Sequence, residues 1–303
     1  MPVALPCARK RKGARRPAWA LCMAGLALVS AHAAPLAPPK NPAPATPVSG
    51  APGCSRPISV AASSNGLLME VDRQGAVSGV FPEFLEELSR STGCRFVYEA
   101  MPRARALQTF LEGDVDMIMA VQLPERDAAG AFLPTHGGRI ALITLKTRST
   151  TPPLTQLANG DLMVNVVRGY DYGPAYRSQL ETLRAIRRLE EVKDTDTIAR
   201  KLSIGYAQAT IVAPSQFAAS VQAHPELVDK LVVTPMPSLG TTINGIYLSR
   251  SRLSAADRER LTQAIRKALA EGGFWRQYES RIPAWARPGL VAPSELAPVL
   301  GQP

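Results

Sequence analysis

Histidine is nearly missing from this chain. Three stand in 303 residues, His32, His136 and His224, far apart and without the spacing of metal ligands. His136-Gly137-Gly138 could form an oxyanion loop, but no Gly-x-Ser-x-Gly turn exists to supply a nucleophile for it. Glycine-rich phosphate-binding motifs are absent as well. These gaps argue against a metalloenzyme, a serine hydrolase and a nucleotide enzyme, and no cofactor is expected. The apolar run 19–29 is too short to cross a bilayer.

Acidic residues are also scarce beside basic ones, and the formal charge is +10. The excess is local. Arg9, Lys10, Arg11, Lys12, Arg15 and Arg16 precede the apolar run, and Ala31-His32-Ala33 follows it, the layout of a secretory leader cut after Ala33. Cys22 follows Trp19-Ala20-Leu21, a poor lipidation box. The residues after Arg15-Arg16 do not suit twin-arginine export, so ordinary secretion is expected. Without residues 1–33 the balance is 29 basic against 25 acidic, or +4. That is ordinary for a soluble globular protein and gives no support to nucleic-acid binding. Residues 34–53 are rich in proline and alanine and read as a tether. About 250 residues then remain, enough for two small lobes.

The most informative stretch runs from Gly79 to Arg126: GVFPEFLEELSRSTGCRFVYEAMPRARALQTFLEGDVDMIMAVQLPER. Phe84, Leu85 and Leu88 give one apolar helix face, and Gly93 ends that helix. A strand near 96–98, a helix near 104–111 and a continuous apolar strand at 117–121 follow. The strand runs out into Pro124-Glu125-Arg126. In open α/β sheets, ligands bind outside the carboxyl ends of the strands, so a cation delivered there suggests a small anionic ligand.

The order of these features resembles the family 3 periplasmic solute-binding proteins, the polar-amino-acid type that serves ABC importers. The resemblance covers residues 55–285. It implies an α/β fold of two lobes joined by a two-strand hinge, the type II periplasmic-binding-protein fold. It implies a first lobe of 54–147 with 240–285, a second lobe of 148–239 and a tail of 286–303. The hinge would let the lobes close on a ligand.

Further elements are read from pattern. Residues 58–62 form a first strand, with the polar turn Ser63-Ser64-Asn65-Gly66 at its carboxyl end, and 70–77 form a hairpin. Residues 140–147 leave the first lobe as a strand. Residues 162–167 begin a second β-α series, 195–202 are helical, and 209–213 and 231–234 are strands. A strand at 245–248 returns to the first lobe. Ser254 caps a long helix, a last helix covers 274–278, and the tail after Pro283 carries no pattern. Cys54 and Cys94 each precede a parallel strand. If those strands are neighbours, both cysteines share one corner of the sheet and an exported protein would join them; the alternative is two buried thiols.

The resemblance assigns roles residue by residue. Arg126 matches the arginine that clamps a ligand carboxylate, a task suited to a planar guanidinium; Leu123 stands where the family has threonine. Gly169-Tyr170 matches a Gly-Thr turn whose amides hold an anion; Tyr170 and Tyr172 could stack on a ligand or pack the hinge. Gln208 stands in a Gly-x-x-Asp-Ala motif where aspartate would pair with a ligand ammonium. That change disfavours ordinary amino acids, because an ammonium would lose its ion-pair partner. Ser63 and Asn65 lie at the first strand end. Arg103, with Arg105, adds cations near the second strand end or forms a solvated helix start. Asp114 and Asp116 read as structural.

The expected function is capture of a small carboxylate-bearing anion by a periplasmic, monomeric protein that is not an enzyme. Its partner would be an inner-membrane ABC permease or a sensor. Two alternatives stay open. One is a periplasmic dehydratase-like enzyme on this scaffold, with Glu99 or Asp171 as acid or base. The other is a sensing or accessory domain that has lost small-molecule binding.

Overall fold

Strands and helices alternate along residues 53–296, the part of the chain that the computed structural model describes. The expected leader, the linker up to residue 52 and the tail beyond residue 296 lie outside the described residues.

The chain opens with β1 (Ile58–Ala62), a hairpin of β2 (Glu70–Val71) and β3 (Val77–Ser78), α1 (Val80–Thr92) and β4 (Phe96–Ala100). It continues through α2 (Arg103–Leu111), β5 (Met117–Val121), α3 (Pro124–Ala129) and β6 (Gly130–Arg139). A second series holds β7 (Ala141–Leu145), α4 (Pro153–Asn159), β8 (Val164–Val167), α5 (Pro174–Ala185) and β9 (Leu189–Val192). It ends with α6 (Thr195–Ser203), β10 (Ala209–Val212), α7 (Pro214–Gln222) and β11 (Leu231–Pro235). The chain then returns through β12 (Thr241–Ser249), α8 (Ala255–Ala270), α9 (Gly273–Arg281), β13 (Leu290–Val291) and α10 (Pro293–Leu296).

The first sheet has the order β13-β6-β12-β5-β1-β4. Side chains alternate along β1 and β5, and both faces of these two strands are covered, so all their residues are buried. Ile58, Val60 and Ala62 of β1 and Met117 and Met119 of β5 face a core shared with α1, α8 and α9. Ala61, Ile118 and Ala120 face the opposite way, onto Ala106, Leu107 and Phe110 of α2. Helix α1 buries Phe81, Phe84, Leu85 and Leu88. Its first amides, on Val80 and Phe81, donate to the carbonyls of Leu67 and Leu68, so the helix start needs no side-chain cap. Ser254 caps α8 by accepting from the Asp257 amide at 3.0 Å.

β1 and β4 are parallel neighbours, and Cys54 and Cys94 are joined by a disulfide at the amino end of the pair, with Cα atoms 4.7 Å apart. Asp116 braces the same end. It is fully buried, accepts from the Ser59 amide at 2.8 Å and receives a two-pronged contact from Arg56 at 2.6 Å. Burial pushes its carboxyl up, but the bonds from Arg56 and Ser59 outweigh that and hold it below the usual carboxylate range.

The second sheet has the order β11-β7-β10-β8-β9. Residues 140–147, expected as a strand of the first lobe, pair here as β7 with β10 and β11. The chain leaves the first sheet after Arg139 and comes back at Thr241. Those two residues pair in the first sheet, while Ala141 and Pro235 pair in the second. Between them the Met236 amide donates to the Ile140 carbonyl at 3.0 Å, so the two crossing segments run side by side.

The tail from Pro283 is structured by its neighbours. β13 pairs with Gly137 and Gly138 of β6, and Gly289 lies against Pro214 of the second lobe. Trp285 packs on the cores of both lobes.

Candidate functional site

β4, β1 and β5 are parallel, so their carboxyl ends line one edge of the first sheet. Each end delivers polar residues to that edge. β4 leads to Arg103 at the start of α2, β1 leads to Ser63 and Asn65, and β5 leads to Arg126 in α3. All four are buried, Arg103 to 9% exposure and Arg126 to 4%.

Neither guanidinium has a carboxylate in ion-pair contact among the described residues. Arg103 donates to the Met119 carbonyl at 3.0 Å and sits 3.4 Å from Ser63 Oγ. Arg126 donates to the Val121 carbonyl at 2.7 Å. Burial lowers the Arg103 pKa to about 10, with the nearby Arg126 cation adding to the effect, so Arg103 remains charged at neutral pH. Burial also lowers Arg126, against the more distant pull of Asp171 and Glu125. A buried cation without a counter-charge costs several kcal/mol, roughly. Arg105 points outward and is exposed.

The second lobe faces this edge with the carboxyl ends of β8 and β10, which are also parallel. Tyr170 and Tyr172 follow β8, and Gln216 lies in the first turn of α7 after β10. Tyr172 Oη donates to Gln216 Oε1 at 2.5 Å, and Gln216 Nε2 donates to Asn65 Oδ1 at 2.7 Å, which ties the lobes together. Tyr170 Oη lies 3.5 Å from the Ser64 carbonyl. Burial raises the Tyr170 phenol to about 12, so it stays neutral.

Two glycines permit this approach. Gly169, at φ 87°, brings its backbone so near α2 that an added Cβ would stand 2.6 Å from Ala104 Cα. Gly66, at φ 56°, meets the carbonyls of Ser215 and Gln216, each 2.8 Å from where a Cβ would be. Leu123, just before α3, joins the apolar core of the second lobe. Its side chain caps no amide of α3, and its own amide donates to Tyr247 Oη at 3.3 Å. Tyr170 and Tyr172 are both buried. A space of about 10 Å³ remains, lined by Ala61, Ser63, Asn65, Met69, Arg103 and Met119, room for about one water molecule.

Gln208 lies elsewhere. It precedes β10 rather than following it, is exposed, and accepts from the Met163 amide at 2.8 Å at the amino end of the sheet. A residue on that side of a parallel strand cannot reach the cleft, so Gln208 drops out of the site. Gln216 takes its place, and position was the available signal: it follows β10 as Arg126 follows β5. His136-Gly137-Gly138 is part of β6, not a loop. His136 is buried against Tyr278, and burial lowers its pKa to about 3.

The cleft holds no buried acid. The buried carboxylates among the described residues are Asp116 and Asp257, both engaged outside the cleft, with Arg56 and Ser55. Asp171 is held by Arg177 at 2.5 Å and accepts from the Gly173 amide. Glu99 is exposed on the edge strand β4. No cluster of three His, Cys, Asp or Glu side chains that could hold a metal occurs among the described residues.

No family model and no curated protein matches the chain. Solved structures do. One described as an L-cystine ABC transporter from Listeria monocytogenes is 18% identical over 76% of this chain and 97% of its own, with a TM-score of 0.59. The arginine-, lysine-, histidine-binding protein ArtJ from Geobacillus stearothermophilus is 13% identical over 77% of this chain and 99% of its own, TM-score 0.59. A histidine kinase sensor domain with similarity to periplasmic binding proteins is 14% identical over 78% and 98%, TM-score 0.61. At such identities the likeness is one of fold: two α/β lobes, as in periplasmic binding proteins.

Proposed function

We propose that the chain is an exported solute-binding protein, not an enzyme, that closes its two lobes around a small carboxylate-bearing anion. The closed form is then read by an ABC importer or a sensor in the inner membrane. The observation that carries this reading is the pair of buried guanidiniums, Arg103 and Arg126, at parallel strand ends with no carboxylate in contact. A bound anion would supply the missing counter-charge. The same cleft offers a free α-ammonium no buried carboxylate, so common amino acids are poor ligands for it. This differs from the neighbour that is described as binding arginine, lysine and histidine. An acid or base for chemistry is also lacking, because Glu99 is exposed and Asp171 is held by Arg177.

The test is calorimetry with a panel of amino acids and carboxylates on wild type and Arg126→Ala. A carboxylate should bind, and the variant should lose about 2–5 kcal/mol of binding while keeping its fold. Binding unaffected by Arg126→Ala would remove this residue from the site, and binding of ordinary amino acids alone would overturn the ligand class.

One observation favours a second reading, a sensing domain that takes no small molecule: the space beside Arg103, Ser63 and Asn65 is only about 10 Å³. Native mass spectrometry of freshly purified protein separates the two, since only the first predicts a co-purified anion.

A further inference from the structure

We propose that the site takes a compact dianion, one charge held by Arg126 and the other by Arg103. This rests on the reading above and narrows it from any carboxylate to a ligand with two negative charges a short distance apart.

The argument begins with β5. Arg103 and Arg126 arrive from different strands, yet both donate to carbonyls of this one strand, Met119 and Val121. Carbonyls two residues apart on a strand point the same way and stand roughly 7 Å apart. The strand therefore acts as a ruler that sets the two cationic groups side by side along its end. Each spends one N–H on its carbonyl and keeps other donors of the planar fork for a ligand. Arg103 has only the Ser63 hydroxyl as a second neighbour, at 3.4 Å.

Two like charges placed this close repel, and no carboxylate among the described residues is in contact with either; Asp171 and Glu125 act on Arg126 only from a distance. Asp127 accepts from Tyr247 at 2.7 Å and Asp171 is held by Arg177. A single carboxylate would neutralise one guanidinium and leave the other buried without a counter-charge. A short dianion satisfies both. Ser63 and Asn65 beside Arg103 add a hydroxyl and an amide, neutral groups that bond an oxyanion without adding charge. The limited free volume selects against long chains. A ligand that short has one or two carbons between its carboxylates.

The probes are malonate, succinate, adipate, sulfate and acetate, titrated by calorimetry into the full mature chain. Wild type should bind malonate or succinate at least about tenfold more tightly than acetate, with adipate weaker. Sulfate binding tighter than acetate also supports the proposal and assigns an inorganic oxyanion as the source of charge. Arg103→Met should bring malonate and succinate down to the acetate level. Arg103→Lys, which keeps the charge, should retain the preference and guards against misfolding of the methionine variant. Equal affinity for acetate and the dianions in wild type, or a dianion preference that survives Arg103→Met, overturns the proposal. Equal affinity for acetate and the dianions that depends on Arg126 but not on Arg103 would leave carboxylate capture standing and remove only the dianion. Failure of every anion to bind would remove both.

Discussion

The two lobes bring opposite chemistry to their shared cleft. Strand ends of the first lobe deliver charge and hydrogen-bonding groups: Arg103, Arg126, Ser63 and Asn65. Strand ends of the second deliver neutral, bulky groups: Tyr170, Tyr172 and Gln216. The same topological position, just past the carboxyl end of a parallel strand, thus carries buried charge in one lobe and neutral bulk in the other. Covalent bracing follows the same division, since the disulfide lies in the first lobe alone. A lobe that must hold two unpaired cations in register needs rigidity, whereas a lobe that shuts over them needs complementary shape.

The largest effect tests that division of labour. Cys54→Ser with Cys94→Ser should cost about 4 kcal/mol, given a closed loop spanning 40 positions. Guanidinium unfolding followed by fluorescence would measure it. A single transition shifted as a whole means that the closed lobes unfold together. Two transitions with only one displaced mean that the bracing stays local to the first lobe.

Closure itself is tested by two glycines of the second lobe. Gly169→Ala and Gly205→Ala both put a side chain at positive φ, a strain of about 1–2 kcal/mol. Only Gly169 would also drive a Cβ into the Ala104 backbone, whereas Gly205 has open space around it. Small-angle scattering should therefore show an expanded, open particle for Gly169→Ala and an unchanged one for Gly205→Ala.

A smaller effect concerns how the first lobe treats a third ionisable group. It tolerates two buried arginine cations but keeps His136 neutral, with its pKa lowered to about 3 by burial. The unfolded chain protonates histidine below about 6.5, so between these values it binds more protons than the folded one. Stability should then be complete above pH 6.5 and fall by about 1.4 kcal/mol per pH unit below it, until about pH 3. Denaturation at pH 7 and pH 5 should show this slope, and His136→Phe, which can still pack on Tyr278, should flatten it.

The smallest effect is on the inter-lobe hydrogen bond. Tyr172→Phe removes the donor to Gln216 Oε1 and should cost about 1 kcal/mol of stability. A larger loss would mean that the tyrosine network, rather than apolar packing, holds the cleft shut.

Much of this architecture could be read from the chain. β1 and β5 are short, largely apolar runs, buried along their whole length because both faces are covered, and their limits agree with the expected strands. Positions just past those strands pointed to Arg126, Ser63 and Asn65. β6 was hidden. Its sequence, GAFLPTHGGR, mixes glycine and proline into the alternation, and its register shifts opposite Asn244 and Gly245. Such a strand is held by its neighbours rather than by propensity. The burial of Arg103 was equally invisible, since an arginine at a helix start is ordinarily solvated and only the covering second lobe changes that. Gln208 misled because a motif match fixed attention on the residue before a strand, while the cleft lies beyond the strand's other end.

The placement of Trp285 gives the chain an optical property. Of its three tryptophans, this is the one among the described residues that packs against the cores of both lobes at once; Trp275 touches only the first. An indole wedged at a crossing of two moving bodies changes its surroundings whenever they move apart, and its emission follows. The protein therefore carries an intrinsic gauge of opening. Titrations and stopped-flow mixing can follow the lobes in the unlabelled chain, with Trp275→Phe to isolate the signal and Trp285→Phe to silence it.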